Sequence, residues 1–445
     1  MASDTPRLVF IKTFGCQMNV YDSGKMLAQL AHDGFEPTDE WRRADLVIVN
    51  TCSVREKPQL KVSSFLGPIL QRKRDTGRPM VAVAGCVAQH DGAEFFRRYP
   101  AIDLVFGPDG VPRVRELVRA ARQRRVLDDQ FLEVADYPFV QDLVPSAQRE
   151  VTGLVTIQKG CDNHCTYCIV PSARGVQVSR PLEQIIEEVR GLAVRGTRDF
   201  TLIGQNVNAY GAERGGRSRF AELLEAVHAI PEVWRLRFTT SHPRDMDPAT
   251  IAAWSRLPRL ASHLHLPVQS GSDAVLRRMG RQYTRAHYLD VVAELRRVRP
   301  EISLTTDFII GFPGETRDDF EQSLALLEQV RFMASFSFKY SPRPGTAATR
   351  LHDREPVSAE EASDRLRVLQ EVQQRIQQES NLACVGRCFE VLVEQPSRHD
   401  PNQWMGRTSC FRAVNFPAAP SMAGELVQVR ITQANPHSLQ GEVVA

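Results

Sequence analysis

No apolar run in this 445-residue chain reaches the ~18 residues a membrane-spanning helix needs. The opening residues, MASDTPRLVFIKTFG, lack the charged, then apolar, then small-residue order of a secretory signal. No membrane partner is therefore expected, and the expected location is the cytoplasm. A strong charge of either sign is also missing. The formal net charge is +3, from 56 Lys and Arg against 53 Asp and Glu. That balance permits a nucleic-acid partner without requiring one. Cysteine is scarce, and its count of nine is odd. A disulfide framework is disfavoured in a reducing compartment, and an odd number cannot pair completely. Clustered cysteines then read as metal ligands or catalytic groups.

What is present is an ordinary globular composition, 42% hydrophobic and 24% charged. The length suggests about three domains. The first segment alternates β-rich runs, RLVFIKTFGC, ADLVIVNTC and MVAVAGC, with helical stretches SGKMLAQLAHDG and EKPQLKVSSFLGPILQRKR. Such alternation predicts an open parallel sheet ending near Arg124, followed by a polar, Pro-containing connection to about Glu150. The second segment repeats the unit six times. Its strand candidates are VTGLVTIQ, DFTLIGQN, WRLRFTTS, SHLHLPVQS, SLTTDFIIGFP and FSFKYSPR. Helical patterns separate them at Leu182–Arg195, Arg219–Ala229, Pro248–Arg256, His287–Val298 and Arg317–Val330. This predicts a β/α barrel, partial or full. A Gln- and Arg-rich connecting helix follows, with Ser358 and Glu361 placed for a capping box. From about Val385 short alternating strands predict a small five-stranded β-barrel, a shape used by RNA-binding modules. The fold class is thus α/β, with expected domains at 1–145, 146–380 and 381–445.

The chemistry concentrates in KGCDNHCTYCIVPSARG. Cys161, Cys165 and Cys168 follow the first barrel strand with the spacing C-x3-C-x2-C. They therefore stand at the barrel mouth where such folds keep their active sites. Thiolates suit zinc or an iron–sulfur cluster. Zinc would need a fourth ligand, for which His164 is the local candidate. A cluster with three protein ligands leaves one iron open for substrate or cofactor. Three more cysteines, Cys16, Cys52 and Cys86, each follow a predicted parallel strand of the first segment. Sites in open sheets lie beyond the strands' carboxyl ends, so these distant residues are expected to converge on a second three-cysteine cluster. The plain alternative is three unrelated buried thiols.

The motif, with the aromatic Tyr167 before its last cysteine, resembles the radical S-adenosylmethionine (SAM) superfamily. FGCQMNVYDS, VNTCSVREKPQ, AGCVAQ, GCDNHCTYCIVP, IGQNVNAYG, RFTTSHP, LPVQSGSDAVLRRMGRQYT and DFIIGFPGET together resemble its methylthiotransferase family over nearly the full chain. Ser172–Ala173 departs from the Tyr-Thr common in bacterial relatives, without touching a cysteine. The resemblance implies two 4Fe-4S clusters, a radical SAM barrel and a terminal TRAM-like domain that grips RNA. One SAM molecule would methylate a sulfur held at the Cys16, Cys52 and Cys86 cluster. A second, chelated at the Cys161, Cys165 and Cys168 cluster, would be cleaved to a 5′-deoxyadenosyl radical. The implied substrate is N6-isopentenyladenosine at position 37 in the anticodon stem-loop of tRNA, converted to its 2-methylthio form. An electron donor such as a flavodoxin or ferredoxin and a sulfur source are implied partners.

Strand-end residues are candidates for SAM contacts: Tyr167, Gln205, Asn206, Ser241 with His242, Gln269, Ser270, Asp307, and Gly311 with Gly314 in a turn of close backbone approach. Any one of them reads equally as a polar residue closing a strand. In the tail Arg407, Arg412 and Arg430 are candidates for phosphate contacts and Phe411 for stacking. Cys384, Cys388 and Cys410 read as buried or surface thiols, because the C-x3-C pair has no visible complement. The alternatives are a methylthiotransferase of threonylcarbamoyl-adenosine or of a ribosomal protein, and a zinc-dependent RNA-binding protein without catalysis.

Overall fold

The computed structural model describes residues 7–53, 56–133, 137–143, 150–397 and 400–444, with side chains described outside 56–61 and 214. The first six residues of the opening stretch, Val54 and Arg55 of the second cysteine motif, and parts of the expected polar connection lie outside the described residues. The chain divides into two compact units. The first comprises Met1–Gln148, Thr156–Asn163 and Cys168–Glu188; the second comprises Arg149–Val155, His164–Tyr167 and Val189–Ala445.

The first unit is built on strands β1 (Arg7–Thr13), β2 (Phe35–Pro37), β3 (Leu46–Thr51), β4 (Met80–Gly85), β5 (Leu104–Phe106) and β6 (Val126–Asp128). They form one sheet in the order β2-β1-β3-β4-β5-β6, and every neighbouring pair is parallel. Successive side chains of a strand face opposite sides. Ile48, Ala82 and Leu104 accordingly enter one apolar cluster with Met26 and Leu30. Val47, Val49, Val81 and Val83 enter the other, with Leu66 and Ile69. Both faces are covered, which is why LVIVNT and MVAVAG read as continuous apolar runs. Three strands predicted from the sequence become six. The added β2, β5 and β6 are three residues each, too short to show a period. The first helix also starts earlier than expected, at Gln17, and runs to Ala31. Its first turns bury the polar Asn19 and Ser23, which masked the apolar pattern.

Strand β7 (Thr152–Thr156) leads, one residue on, into the short antiparallel pair β8 (Gln158–Lys159) and β9 (Val178–Ser179). The second unit continues with β10 (Asp199–Ile203), β11 (Arg235–Phe238), β12 (His263–His265), β13 (Ser303–Ile310) and β14 (Ala334–Lys339). Their sheets run β11-β10-β7 and β12-β13-β14, and a parallel bridge between Leu236 and Leu260 joins the two. Among the described residues no ladder returns from β14 to β7, so the barrel is partial. The helices predicted at Pro248–Arg256 and Arg317–Val330 are found with those bounds.

The connecting helix spans Ala359–Leu382. Its buried face carries Arg365, Gln373 and Asn381 beside Leu369 and Ile376, which explains the weak apolar stripe. Ser358 Oγ accepts the Glu361 N–H at 3.1 Å. The capping box is only half made, because the Glu361 carboxylate pairs with Arg365 instead. Arg365 Nη1 also meets the buried Glu315 at 2.7 Å.

The tail closes as predicted, from β15 (Cys388–Pro396), β16 (Gln403–Thr408), β17 (Ala413–Pro417), β18 (Leu426–Ala434) and β19 (Leu439–Val443), in the order β15-β16-β17-β19-β18. Cys384 packs into its apolar core with Val391, Phe416 and Ile431, whereas Cys388 is exposed. Three of the four residues expected to meet RNA also have partners within the chain, although Phe411 stays exposed. Phe411 stacks on His263 with centroids 4.8 Å apart and lies 4.9 Å from the Arg237 guanidinium. Arg407 pairs with Glu394. Arg412 donates to Ser380 Oγ at 2.5 Å and has Cys410 Sγ at 3.4 Å. Arg430 remains exposed.

Replacing Arg365 with Met strands Glu315 without its counter-charge. Breaking such a buried pair costs about 3–5 kcal/mol. A urea titration should show a fall of that order in unfolding free energy; a loss under about 1 kcal/mol would mean the pair behaves like a surface one.

Candidate active site

In the first unit, β1, β3 and β4 are adjacent and parallel, so their carboxyl ends share one edge. Cys16 caps the helix after β1, Cys52 follows β3, and Cys86 begins the helix after β4. Cys52 and Cys86 are buried, and Cys16 is the exposed member, although its thiol end is tucked against Asn19 at 3.2 Å. Gly15 makes the close approach possible. Its φ is +127°, and a Cβ there would lie 2.3 Å from Cys52 Cβ. An amide interlock holds the edge: Asn19 Nδ2 donates to Asn50 Oδ1 at 3.0 Å and to Thr51 O at 2.8 Å. Asn50 Nδ2 returns a bond to Asn19 O at 2.9 Å. A hydrogen bond with Cys52 lowers the Cys16 pKa to about 6, against the effect of burial and helped by Arg174. Burial pushes Cys86 up, while Arg174 opposes it. The buried Arg174 donates to Asp22 Oδ2 at 2.7 Å. Burial works against its charge, but Asp22, Cys86 and Cys16 outweigh it and hold it charged. Arg174 ends the short helix Val170–Arg174, which contains the divergent Ser172–Ala173; Ala173 is buried, so the departure is one of packing.

The segment before Cys161 is anchored by Lys159. Its ammonium lies 2.7 Å from Asp109 Oδ2 and 4.2 Å from the Tyr137 ring centroid. The Cys161 N–H donates to Gly175 O at 3.2 Å. In the second unit, Thr166 N and Oγ1 donate to Met279 O and Arg278 O, both at 2.9 Å. Arg281 Nη1 lies 3.5 Å from Cys165 Sγ. Tyr167 packs edge-on against Phe312, with centroids 6.4 Å apart. His164 is an exposed loop residue.

The other strand-end candidates separate by what their polar atoms do. Gln205 Oε1, Asn206 Oδ1 and Ser241 Oγ are buried with no hydrogen-bond partner. They sit just beyond β10 and β11. Asn206 Nδ2 is meanwhile fixed on Asp245 at 2.7 Å. Gln269 has φ +72°, and its backbone bridges to Asp307 O and Ile309 N at 2.8 and 3.0 Å. Ser270 Oγ is committed to the Ser272 N–H at 3.2 Å and contacts Ser323 Oγ at 3.4 Å. Asp307 lies 3.5 Å from His265. A Cβ at Gly311 would stand 2.7 Å from Ala362 Cβ, and one at Gly314 would meet Arg278 and Glu355, so both glycines make room for this chain's own atoms. Asn19, Asn50, Arg174 and Arg281 escaped the sequence reading. Their only signal was polarity inside otherwise apolar motifs.

The comparisons match these parts in turn. Residues 155–327 match the Radical SAM superfamily, 8–107 the family described as "Uncharacterized protein family UPF0004", and 382–444 the TRAM domain. A tRNA-2-methylthio-N(6)-dimethylallyladenosine synthase of Acidovorax sp. (strain JS42) is 47% identical over 446 residues, covering 98% of this chain and 97% of that protein. One of Geobacter metallireducens is 48% identical over 441 residues, covering 98% of each. The chain belongs to the tRNA-2-methylthio-N(6)-dimethylallyladenosine synthase family. Among solved structures, the radical SAM methyltransferase TsrM of Kitasatospora setae, with cobalamin and a [4Fe-4S] cluster bound, aligns at TM-score 0.58 and 17% identity. That alignment covers 78% of this chain and 74% of TsrM, and it concerns the fold alone. No helix among the described residues is long and apolar enough to cross a membrane.

His242, beside these orphaned atoms, is buried, and burial with Arg281 and Arg244 nearby lowers its pKa from 6.5 to about 2. The unfolded chain binds the proton that the folded one refuses. Stability is therefore full above pH 6.5 and falls toward pH 2, by about 1.4 kcal/mol per pH unit. In His242→Asn this slope should vanish, so urea midpoints between pH 6 and pH 4 should fall less steeply than in the natural chain. Parallel slopes would contradict the burial of a neutral imidazole.

Proposed function

We propose that the chain is the methylthiotransferase that converts N6-isopentenyladenosine at position 37 of tRNA to its 2-methylthio derivative. One coincidence carries the reading. Cys16, Cys52 and Cys86 follow three adjacent parallel strands, and Cys161, Cys165 and Cys168 form a second triad after β8, in a chain 47% identical to a synthase of that name over 98% of its length. In this reading Cys161, Cys165 and Cys168 hold one 4Fe-4S cluster and Cys16, Cys52 and Cys86 the other. The donor set fits: each triad is thiol alone, and thiolates are the ligands such clusters take. Among the described residues no three His, Cys, Asp or Glu side chains are gathered as for a single ion. Together the clusters and SAM supply radical chemistry at an unactivated C–H bond.

The chain's own residues bind and orient. Cys16, the exposed thiol, stands where an incoming sulfur can be presented. Arg174 compensates the charge of the first triad, and Asn19 with Asn50 keeps its loops in register. Tyr167, Gln205, Asn206, Ser241, Gln269, Ser270, Asp307 and Gly311 border the proposed SAM site. The three orphaned atoms of Gln205, Asn206 and Ser241 support it most, because a polar ligand would satisfy them. Ser270 and Gly311 act there as supports for the backbone. The anticodon stem-loop offers a base already outside a duplex, which lowers the cost of presenting it. The tail domain grips RNA, with the exposed Arg430 and Phe411 as candidate contacts. Reductive chemistry needs an electron donor, a flavodoxin or ferredoxin, and the product needs a sulfur source. The expected domains remain 1–145, 146–380 and 381–445, and a tRNA substrate places the enzyme in the cytoplasm.

Mass spectrometry of tRNA nucleosides after incubation with reduced enzyme and SAM should show the 2-methylthio-isopentenyl nucleoside. A methylthiolated threonylcarbamoyl nucleoside, or no nucleoside product, would refute the substrate. Anaerobic reconstitution should load about eight iron per chain. Replacing Cys16, Cys52 and Cys86 together should halve that count and leave SAM cleavage in place; cleavage surviving replacement of Cys161, Cys165 and Cys168 would reverse the assigned roles.

A further inference from the structure

Six arginines are buried among the described residues: Arg174, Arg180, Arg235, Arg237, Arg281 and Arg365. Five have a carboxylate partner. Arg174 has Asp22, Arg180 has Glu188, Arg235 and Arg237 share Asp199, and Arg365 has Glu315. Arg281 has none. It is 6% exposed, and its three nitrogens are held by neutral or sulfur partners. Nε meets Tyr283 Oη at 3.2 Å, Nη2 meets Pro267 O at 3.1 Å, and Nη1 meets Cys165 Sγ at 3.5 Å. Tyr283 is itself spent on Val268 O at 2.6 Å. The hydrogen bonds are satisfied, but the charge has no carboxylate to balance it. An uncompensated buried charge is strongly destabilising. The missing negative charge must come from the sulfur side.

We propose that Arg281 is the built-in counter-cation of the iron–sulfur cluster held by Cys161, Cys165 and Cys168, and that it raises the potential at which this cluster accepts an electron. The inference rests on the reading of that triad as cluster ligands. A cluster on three thiolates is anionic, and more so after reduction. A fixed guanidinium on a ligand sulfur stabilises the reduced form more than the oxidised one, by charge and by its N–H···S bond. Arg174 holds a different position. Asp22 takes up part of its charge, so its net effect on the first triad is smaller than that of an unpaired guanidinium. The guanidinium beside Cys165 thus differs from the one beside Cys16 and Cys86 in lacking a paired carboxylate among the described residues. The triad that must be reduced has the unneutralised cation. Arg281 is a positioning and tuning residue and donates nothing to the reaction.

The test uses the full chain with Cys16, Cys52 and Cys86 replaced by Ala, so that one cluster remains. Arg281→Gln and Arg281→Lys are added to it. Each protein is reconstituted anaerobically, its iron counted, and its midpoint potential measured by EPR-monitored titration without SAM. The expected result is about four iron per chain, a midpoint moved to more negative potential by Gln, and recovery of most of that shift by Lys. If Gln prevents loading while Lys loads near the original potential, the charge requirement stands. An unchanged midpoint in a loaded Gln variant overturns the inference. So does a Lys variant that shifts as far as Gln or fails to load with it. A normal midpoint with weakened SAM binding would assign the cation to SAM's carboxylate, which also overturns it. Failure of the parent triple variant to bind iron would refute the ligand reading itself.

Discussion

Parallel strands all end on the same edge, and the arrangement of functional groups follows from that constraint. In the six-stranded sheet the loops after β1, β3 and β4 emerge side by side. Cysteines 36 and 34 positions apart in sequence, Cys16 to Cys52 and Cys52 to Cys86, thereby become neighbours. In the partial barrel the same rule gathers Gln205, Asn206 and Ser241 beyond β10 and β11. A loop can hold a thiol only as well as its own backbone is held. The amide interlock of Asn19 and Asn50, and the absence of a Cβ at Gly15, serve that end.

Charge is handled with unusual consistency in the interior. Buried guanidiniums are matched to carboxylates almost throughout, so the paired charge offsets their desolvation cost. The two exceptions to simple pairing stand at the cysteines. Arg174 serves both Asp22 and the thiols, and Arg281 meets the sulfur of Cys165 with no carboxylate beside it. Structural arginines elsewhere do mechanical work. Arg235 and Arg237 donate to Arg407 O, Thr408 O and Ser409 O at 2.8, 2.9 and 3.1 Å, tying the tail barrel to β11.

That tie gives several of the tail's aromatic and basic residues partners within the chain. Phe411 occupies a left-handed backbone position with φ +72°, and its ring stacks on His263. Arg407 and Arg412 have intramolecular partners. A basic or aromatic residue in a β-barrel sequence looks the same whether it meets RNA or a neighbouring domain, because side-chain chemistry does not name its partner.

The sequence by itself determined the α/β class, the order of the three folded parts and the placement of Cys16, Cys52 and Cys86 after parallel strands. These rest on period, spacing and topology, all of which are local or follow from parallel pairing. Cys161, by contrast, follows the short antiparallel β8 and not the first barrel strand itself. Segments of three residues, such as β2, β5 and β6, carry no period and needed the sheet to define them. The half-made cap at Ser358 depended on a competitor, Arg365, one turn further along the helix. Only the tertiary structure decided which strand-end polar atoms stay unpaired, that Ser270 and Gly311 are spent on the chain itself, and that Arg281 lacks a carboxylate. Each of those is a statement about what lies beside a group in space, and a buried charge or an orphaned oxygen is defined by neighbours that sequence distance does not reveal.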